Sequence, residues 1–484
     1  MKKSALLILS VLLLNACYQY DGNAPYLYSS PFDQETASTE KYKDYDENPF
    51  IMVSEQPVST FSVDADGGAY ANMRRFMNLG QTPPKAAVRI EEFINYFTFN
   101  YPEPAGNENI AVNSEIAVCP WNTDHHLIRI GMKAKSIPEN QLPNSNFVFL
   151  IDVSGSMSSP EKLELLKSGF KLMTDQLRDN DKVAIVTYAG DAALLLNSTN
   201  GDEKTKIKNA ISKLGAGGST AGAKGLITAY EIALENFIPN GNNRIIIGSD
   251  GDFNVGPSST DELIKLIEEK RKSGVYITVL GVGTGNLNDN MMEQIANKGN
   301  GNYEYIDCAD ELLKIFVNEK AKFYTVAKDS KIQITFNPDK VSSYRLIGYE
   351  NRSLNKDDFN NDTIDAGEIG ASQTITALYE VALTTNLSAT PYAQFDFRYK
   401  KPGESESRLI KHTVNSIPTP IASASENMRF AASIVSYGLL LKQSAYKGKA
   451  GKQMVLDLGN NAKSYDPNGY RSEFLNIVKK WNPE

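Results

Sequence analysis

The stretch from residue 146 to residue 328 constrains the fold most, because it alternates continuous apolar runs with helical stripes. "NFVFLID", "KVAIVTYA", "NRIIIGSDG", "VYITVLGVG" and "NYEYID" read as strands with little polar alternation. Between them Leu163, Leu166, Phe170, Met173 and Leu177 recur at helical spacing, and "AGAKGLITAYEIALENF", "DELIKLIEEKRKSG" and "DNMMEQIANKG" continue as helices. Strands apolar on both faces need cover on both, which alternating helices supply. The expectation is an α/β fold with a doubly wound, mainly parallel sheet. Ser159 is expected to cap the first helix, with Pro160 at its first position.

Ligands of such sheets bind beyond the carboxyl ends of the strands, where the strand order reverses. "NFVFLIDVSGSM" places Asp152 at a strand end and Ser154 and Ser156 on alternate residues after it. Asp250 ends "IIIGSDGD", and Thr220 stands in the glycine-rich "GAGGSTAGAKGL" that opens a helix. Two carboxylates and three hydroxyls are the hard oxygen donors that a divalent cation takes, and so few charges leave the ion electrophilic. Each motif alone is ordinary turn or cap chemistry. Together, in this order on this pattern, they point to a metal site.

The D-x-S-G-S motif, the loop threonine and the strand-ending S-D-G resemble the metal-ion-dependent adhesion site of the von Willebrand factor type A domain. That resemblance implies that Asp152, Ser154, Ser156, Thr220 and Asp250 hold Mg²⁺, with Mn²⁺ or Ca²⁺ as alternatives. It also implies that an acidic side chain of a partner protein fills the open coordination place. "STFSVDADGGAYANMRRFMNLGQTPPKAAVRIEEFINYF" before this region, and "YRLIGYENR", "DAGEIGASQTITALYEV" and "YDPNGYRSEFLNIVK" after it, resemble the flanking parts of bacterial A-domain lipoproteins.

The N-terminus fits that class. "MKKSALLILSVLLLNAC" has two lysines, an apolar stretch too short to span a bilayer, and Cys17. "LNAC" resembles a lipobox, which makes Cys17 the acylated first residue of a chain anchored in the bacterial envelope, with the outer membrane favoured because Tyr18 follows. No segment after Cys17 is long and apolar enough to cross a membrane.

With 484 residues the chain exceeds a single core, and 41% apolar against 22% charged residues marks it as folded. The expected organisation is a lipoprotein signal peptide over 1–16 and a polar tether over 17–57. A small N-terminal α+β module over 58–143, the A domain over 144–328 and a C-terminal β-rich and helical domain over 329–484 complete it. In the N-terminal module Ile90, Phe93, Ile94 and Phe97 make a helical stripe. In the C-terminal region "KIQITFN", "SYRLIGYE", "QTITALYEVAL" and "AQFDFRYK" suggest an antiparallel sheet or sandwich, and Phe430, Ile434, Tyr437 and Leu441 a core-facing helix.

Composition excludes several functions. A net charge of -8 without a basic run argues against nucleic acid. Only three histidines are present (His125, His126, His412), and H-E-x-x-H, G-x-S-x-G and the phosphate loop are all absent. The expected role is metal-dependent protein binding and not catalysis. A metal-dependent hydrolase is the alternative, but it lacks a general base beside the motif and has Ser154 where a second aspartate would stand. A scaffold with a vestigial metal site is the third reading. "NKDDFNNDTIDAGE", with Asp357, Asp358, Asp362, Asp365 and Glu368, lacks the pattern of a calcium loop and reads as acidic surface. Cys119 and Cys308 are open to pairing or to two free thiols.

Overall fold

The computed structural model describes residues 38–218, 222–251, 260–385 and 391–482. The stretch 1–16 read as a signal peptide and Cys17 lie outside these residues, as does Thr220. Six strands form the central sheet in the order Tyr303–Ile306, Tyr276–Val282, Asn242–Ser249, Ser145–Asp152, Lys182–Tyr188, Ala192–Asn200. All neighbours run parallel except the last pair, where Ala192–Asn200 returns antiparallel at the edge. The doubly wound, mainly parallel expectation holds, and the edge strand is an element that apolar continuity did not reveal.

Alternation along Ser145–Asp152 explains why every residue in it is buried. Val148 and Leu150 pack with helices Gly222–Glu235, Thr260–Lys270 and Asp289–Lys298 on one face. Phe147, Phe149 and Ile151 pack with helices Leu165–Asp175, Lys204–Ser212 and Ala309–Leu313 on the other. Each such side chain contributes roughly 1.5–3 kcal/mol by leaving water, so this strand anchors whatever follows it.

The flanking regions build a two-sheet sandwich together. One sheet runs in the order Ile51–Met52, Val341–Ile347, Thr374–Leu383, His126–Ala134, Ile110–Val118, so two C-terminal strands lie between N-terminal ones. In the other, Val58–Ser62 pairs with Thr325–Phe336, which also meets Gly367–Gly370 and Ala393–Lys400. Ile130, Ile332, Phe336, Tyr379 and Phe397 share the core between them. The regions assigned to 58–143 and 329–484 are thus interleaved, because each supplies strands that the other's backbone requires. Helices mix likewise: Phe93 and Phe97 pack with Phe430, Tyr437 and Phe474 in one buried cluster.

The stretch assigned to a tether over 17–57 is docked from Thr39 onward. Thr39 and Lys41 donate backbone hydrogen bonds to Gly285 and Leu287, and Arg75 grips Glu40 at 2.8 Å. These bonds are polar and join residues far apart in sequence, which is why no apolar period announces them. Cys119 and Cys308 are both free thiols. Among the described residues no helix is long and apolar enough to cross a membrane.

Candidate metal centre

The sheet order reverses between strands Ser145–Asp152 and Asn242–Ser249, which are adjacent and parallel although helices and two strands separate them in sequence. The crevice beyond a reversal of this kind is where open α/β sheets take ligands. Asp152 ends the first strand and Asp250 directly follows the second, and both are 0% exposed.

Asp152 is held from two sides. One carboxylate oxygen accepts the Ser154 backbone N–H at 2.9 Å and the other accepts the Ser249 hydroxyl at 3.1 Å. The Ser154 and Ser156 hydroxyls lie 3.1 Å apart, Ser154 buried and Ser156 half-buried. The glycine-rich loop is stapled to this turn, since Gly155 donates to the Gly218 carbonyl at 3.0 Å and Gly217 to that of Val153 at 2.7 Å. Thr220 follows that loop two residues after Gly218, outside the described residues.

Burial pushes the Asp152 carboxyl up to about 6; the hydrogen bonds from Ser154 oppose this and the nearby Asp250 charge adds to it. Among the described residues no ion pair reaches Asp152. A buried carboxylate served by neutral donors, beside two hydroxyls and a second carboxylate, fits a hard divalent cation. Asp152, Ser154, Ser156 and Asp250 are the described residues that would hold it, and the ion would supply a Lewis-acidic place for an outside oxygen.

Lys162 was not visible as a site residue in the sequence. Its ammonium donates to the Ser156 carbonyl at 3.0 Å, to an Asp250 carboxylate oxygen at 3.0 Å and to the Asn286 side-chain oxygen at 2.8 Å, so all three donors are used. Asn286 closes the ring by donating to the same Asp250 oxygen at 3.0 Å. Gly283 lets the lysine through: its φ is +82°, and a Cβ there would stand 2.3 Å from the Lys162 side chain. The loop bearing Asn286 is the one that Thr39 and Glu40 grip, with Gly285 donating to Glu40 at 2.8 Å. The helix carrying Lys162 begins at Pro160 with a π-type turn, and Ser159 precedes it in extended conformation without the expected side-chain cap.

A second group of carboxylates, Asp64, Glu92 and Glu293, has oxygen atoms within 4.8 Å of one another. Guanidinium groups already neutralise it, as Arg89 donates to Glu92 and Arg352 to Asp64 at 2.8 Å. The acidic loop read as surface disperses: Asp358 caps the short helix Lys356–Asn360, Asp362 accepts from Arg398 at 3.1 Å, and Asp365 pairs with Arg271.

Comparison with known proteins agrees with this architecture. Family models match at 36–129 (von Willebrand factor), 146–318 (von Willebrand factor type A domain) and 321–483 (uncharacterized protein YfbK, C-terminal). The chain is 42% identical over 467 residues to uncharacterized protein YfbK of Escherichia coli K12, covering 91% of this chain and 81% of that one. It is 27% identical over 224 residues to a UPF0353 protein of Mycolicibacterium gilvum, covering 40% of this chain and 65% of the relative. A von Willebrand factor type A structure from Catenulispora acidiphila matches 79% of this chain and 91% of its own at 17% identity, with a TM-score of 0.45.

Proposed function

Because the chain belongs to the YfbK family of von Willebrand factor type A domain proteins, we propose that it is a lipid-anchored envelope protein whose A domain binds a divalent cation and uses it to hold an acidic side chain of a partner protein. Mg²⁺ is the ion favoured, with Mn²⁺ or Ca²⁺ as alternatives, and Asp152, Ser154, Ser156, Thr220 and Asp250 are its ligands. Domains of this type commonly mediate protein interaction. The observation that carries the reading is the placement of Asp152 and Asp250, both buried, on the two strands flanking the sheet's reversal, with the paired serine hydroxyls beside them.

Binding is favoured over hydrolysis by where the histidines fall. His126 and His412 lie on sandwich strands and His125 immediately precedes one, so none lies on the loops around Asp152 and Asp250. Anchorage through Cys17 at the outer membrane belongs to the same proposal and rests on the sequence of the signal segment.

Calorimetric titration of Mg²⁺ into the chain starting at Tyr18, beside Asp152→Ala and Asp250→Ala, tests the reading. Saturable binding lost in both variants, with circular dichroism unchanged, is expected, together with capture of an envelope protein that a chelator reverses. Absence of metal heat in the parent chain, or equal heat in the variants, would sink it.

A further inference from the structure

A polar cavity of about 270 Å³ lies where helix Asp289–Lys298 meets strand Gly367–Gly370 of the sandwich. By the share of liquid volume that one water takes, roughly 30 Å³, the space exceeds a bare ion and admits a small organic group. Glu368 lines it, is 7% exposed, and has no hydrogen-bond partner for either carboxylate oxygen among the described residues. Asn351 lines it too: its amide nitrogen donates to Glu293, which leaves its oxygen buried and unpartnered.

The cationic side chains around the cavity are engaged elsewhere. Arg352 donates to Asp64 at 2.8 Å, Lys298 pairs with Glu268 at 2.9 Å, and Arg271 pairs with Asp365. Burial, with the charges of Asp329 and Asp365 added, raises the Glu368 carboxyl well above the usual range; Lys328 and Arg244 act against this without forming an ion pair with it. The backbone that carries Glu368 is closely packed, because a Cβ on the preceding Gly367 would meet the Val63 carbonyl oxygen at 2.1 Å.

With Glu368 ionised, as a bound cation would hold it, every unsatisfied atom named here is an acceptor, so the complementary group is one that only donates. A hard divalent cation such as Ca²⁺ or Mg²⁺ takes six or more oxygens, and here Asp365 and Glu293 are already occupied. We propose that this cavity binds an alkylammonium or guanidinium group, with Glu368 as its counter-charge and Asn351 as a second acceptor. The group comes either from a free amine or from a basic side chain of a peptide.

Calorimetry on the full chain with agmatine, with a tri-lysine peptide and with CaCl₂ tests this. Saturable binding of agmatine or the peptide, at least tenfold weaker in Glu368→Gln and unchanged in Asp152→Ala and in the exposed-site control Asp357→Asn, is expected; which probe binds identifies the source. Glu368→Gln replaces an unpartnered buried carboxyl with an amide of nearly the same shape, so its melting temperature without probe is expected to stay close to that of the parent, which separates lost binding from lost fold. Saturation by neither amine, binding indifferent to Glu368→Gln, or calcium binding that Glu368→Gln abolishes would each overturn the proposal. Because Asp152→Ala removes the metal centre alone, failure there and failure here are read apart.

Discussion

The ammonium of Lys162 stands 3.0 Å from a carboxylate oxygen of Asp250, and both side chains are almost wholly buried. A resident positive charge thus sits on one of the carboxylates assigned to a metal ion. Lys162→Met is expected to lower stability without metal by about 3 kcal/mol, since removing one partner strands a buried charge. The same change is expected to tighten Mg²⁺ binding about tenfold, roughly 1.4 kcal/mol, by removing a competing cation. Thermal unfolding with and without Mg²⁺ measures both, and a smaller Mg²⁺ stabilisation in the variant than in the parent would refute the competition.

Gly283 makes the path for that lysine, and its φ of +82° disfavours any side chain. Gly283→Ala adds both backbone strain and a clash with the Lys162 methylenes. A loss of about 2–4 kcal/mol in chemical denaturation is expected, whereas Gly285→Ala, with nothing within 4 Å of its added Cβ, is expected to cost only the strain of its positive φ, about 1 kcal/mol.

Glu91 supplies a pH dependence away from the metal centre. It is 1% exposed, and burial, with Glu350 and Asp64 nearby, pushes its carboxyl up to about 8. The folded chain keeps a proton that the unfolded chain releases near pH 4.5, so this contribution is complete below pH 4.5 and is lost as pH rises through 8. Glu91→Gln is therefore expected to match the parent at pH 4.5 and to be more stable than the parent at pH 9, by up to about 5 kcal/mol. A variant that melts below the parent at pH 9 would contradict the assignment.

Arg74 joins three parts of the chain. It pairs with Asp307 at 2.5 Å, Glu311 at 2.6 Å and Glu473 at 3.1 Å, and donates to the Tyr96 hydroxyl at 2.8 Å. Arg74→Met leaves Asp307 and Glu311 buried without their counter-charge, and a loss of about 3–5 kcal/mol is expected. Restoring one neutral partner with Glu311→Gln is expected to recover part of it, which a double-mutant cycle reads directly.

The central sheet was legible because its strands are buried on both faces and carry no polar interruption, as Phe147 to Ile151 show. The edge strand Ala192–Asn200 was hidden, since Leu194 and Leu195 are about 40% exposed and the apolar run there has no second face to bury. Asp152, Ser154, Ser156 and Asp250 were readable from motif spacing, and the structure brings them to one rim. Lys162 was not, because a lysine in a first helical turn usually points to water; only Gly283, 121 residues later, bears its imprint. The sandwich strands were individually recognisable, but nothing local tells Ile130 that it lies opposite Ala377.

That last pairing bears on how the protein is made. Strand His126–Ala134 emerges about 250 residues before Thr374–Leu383, which it must hydrogen-bond. At 5–20 residues per second, the usual rate of synthesis, the wait is on the order of tens of seconds. Throughout it, Ile110–Val118 can close one edge of His126–Ala134, but the other edge stays open until its distant partner is made. The sandwich therefore closes only after the strands that follow the A domain have been made, by which point all six strands of the central sheet are already present.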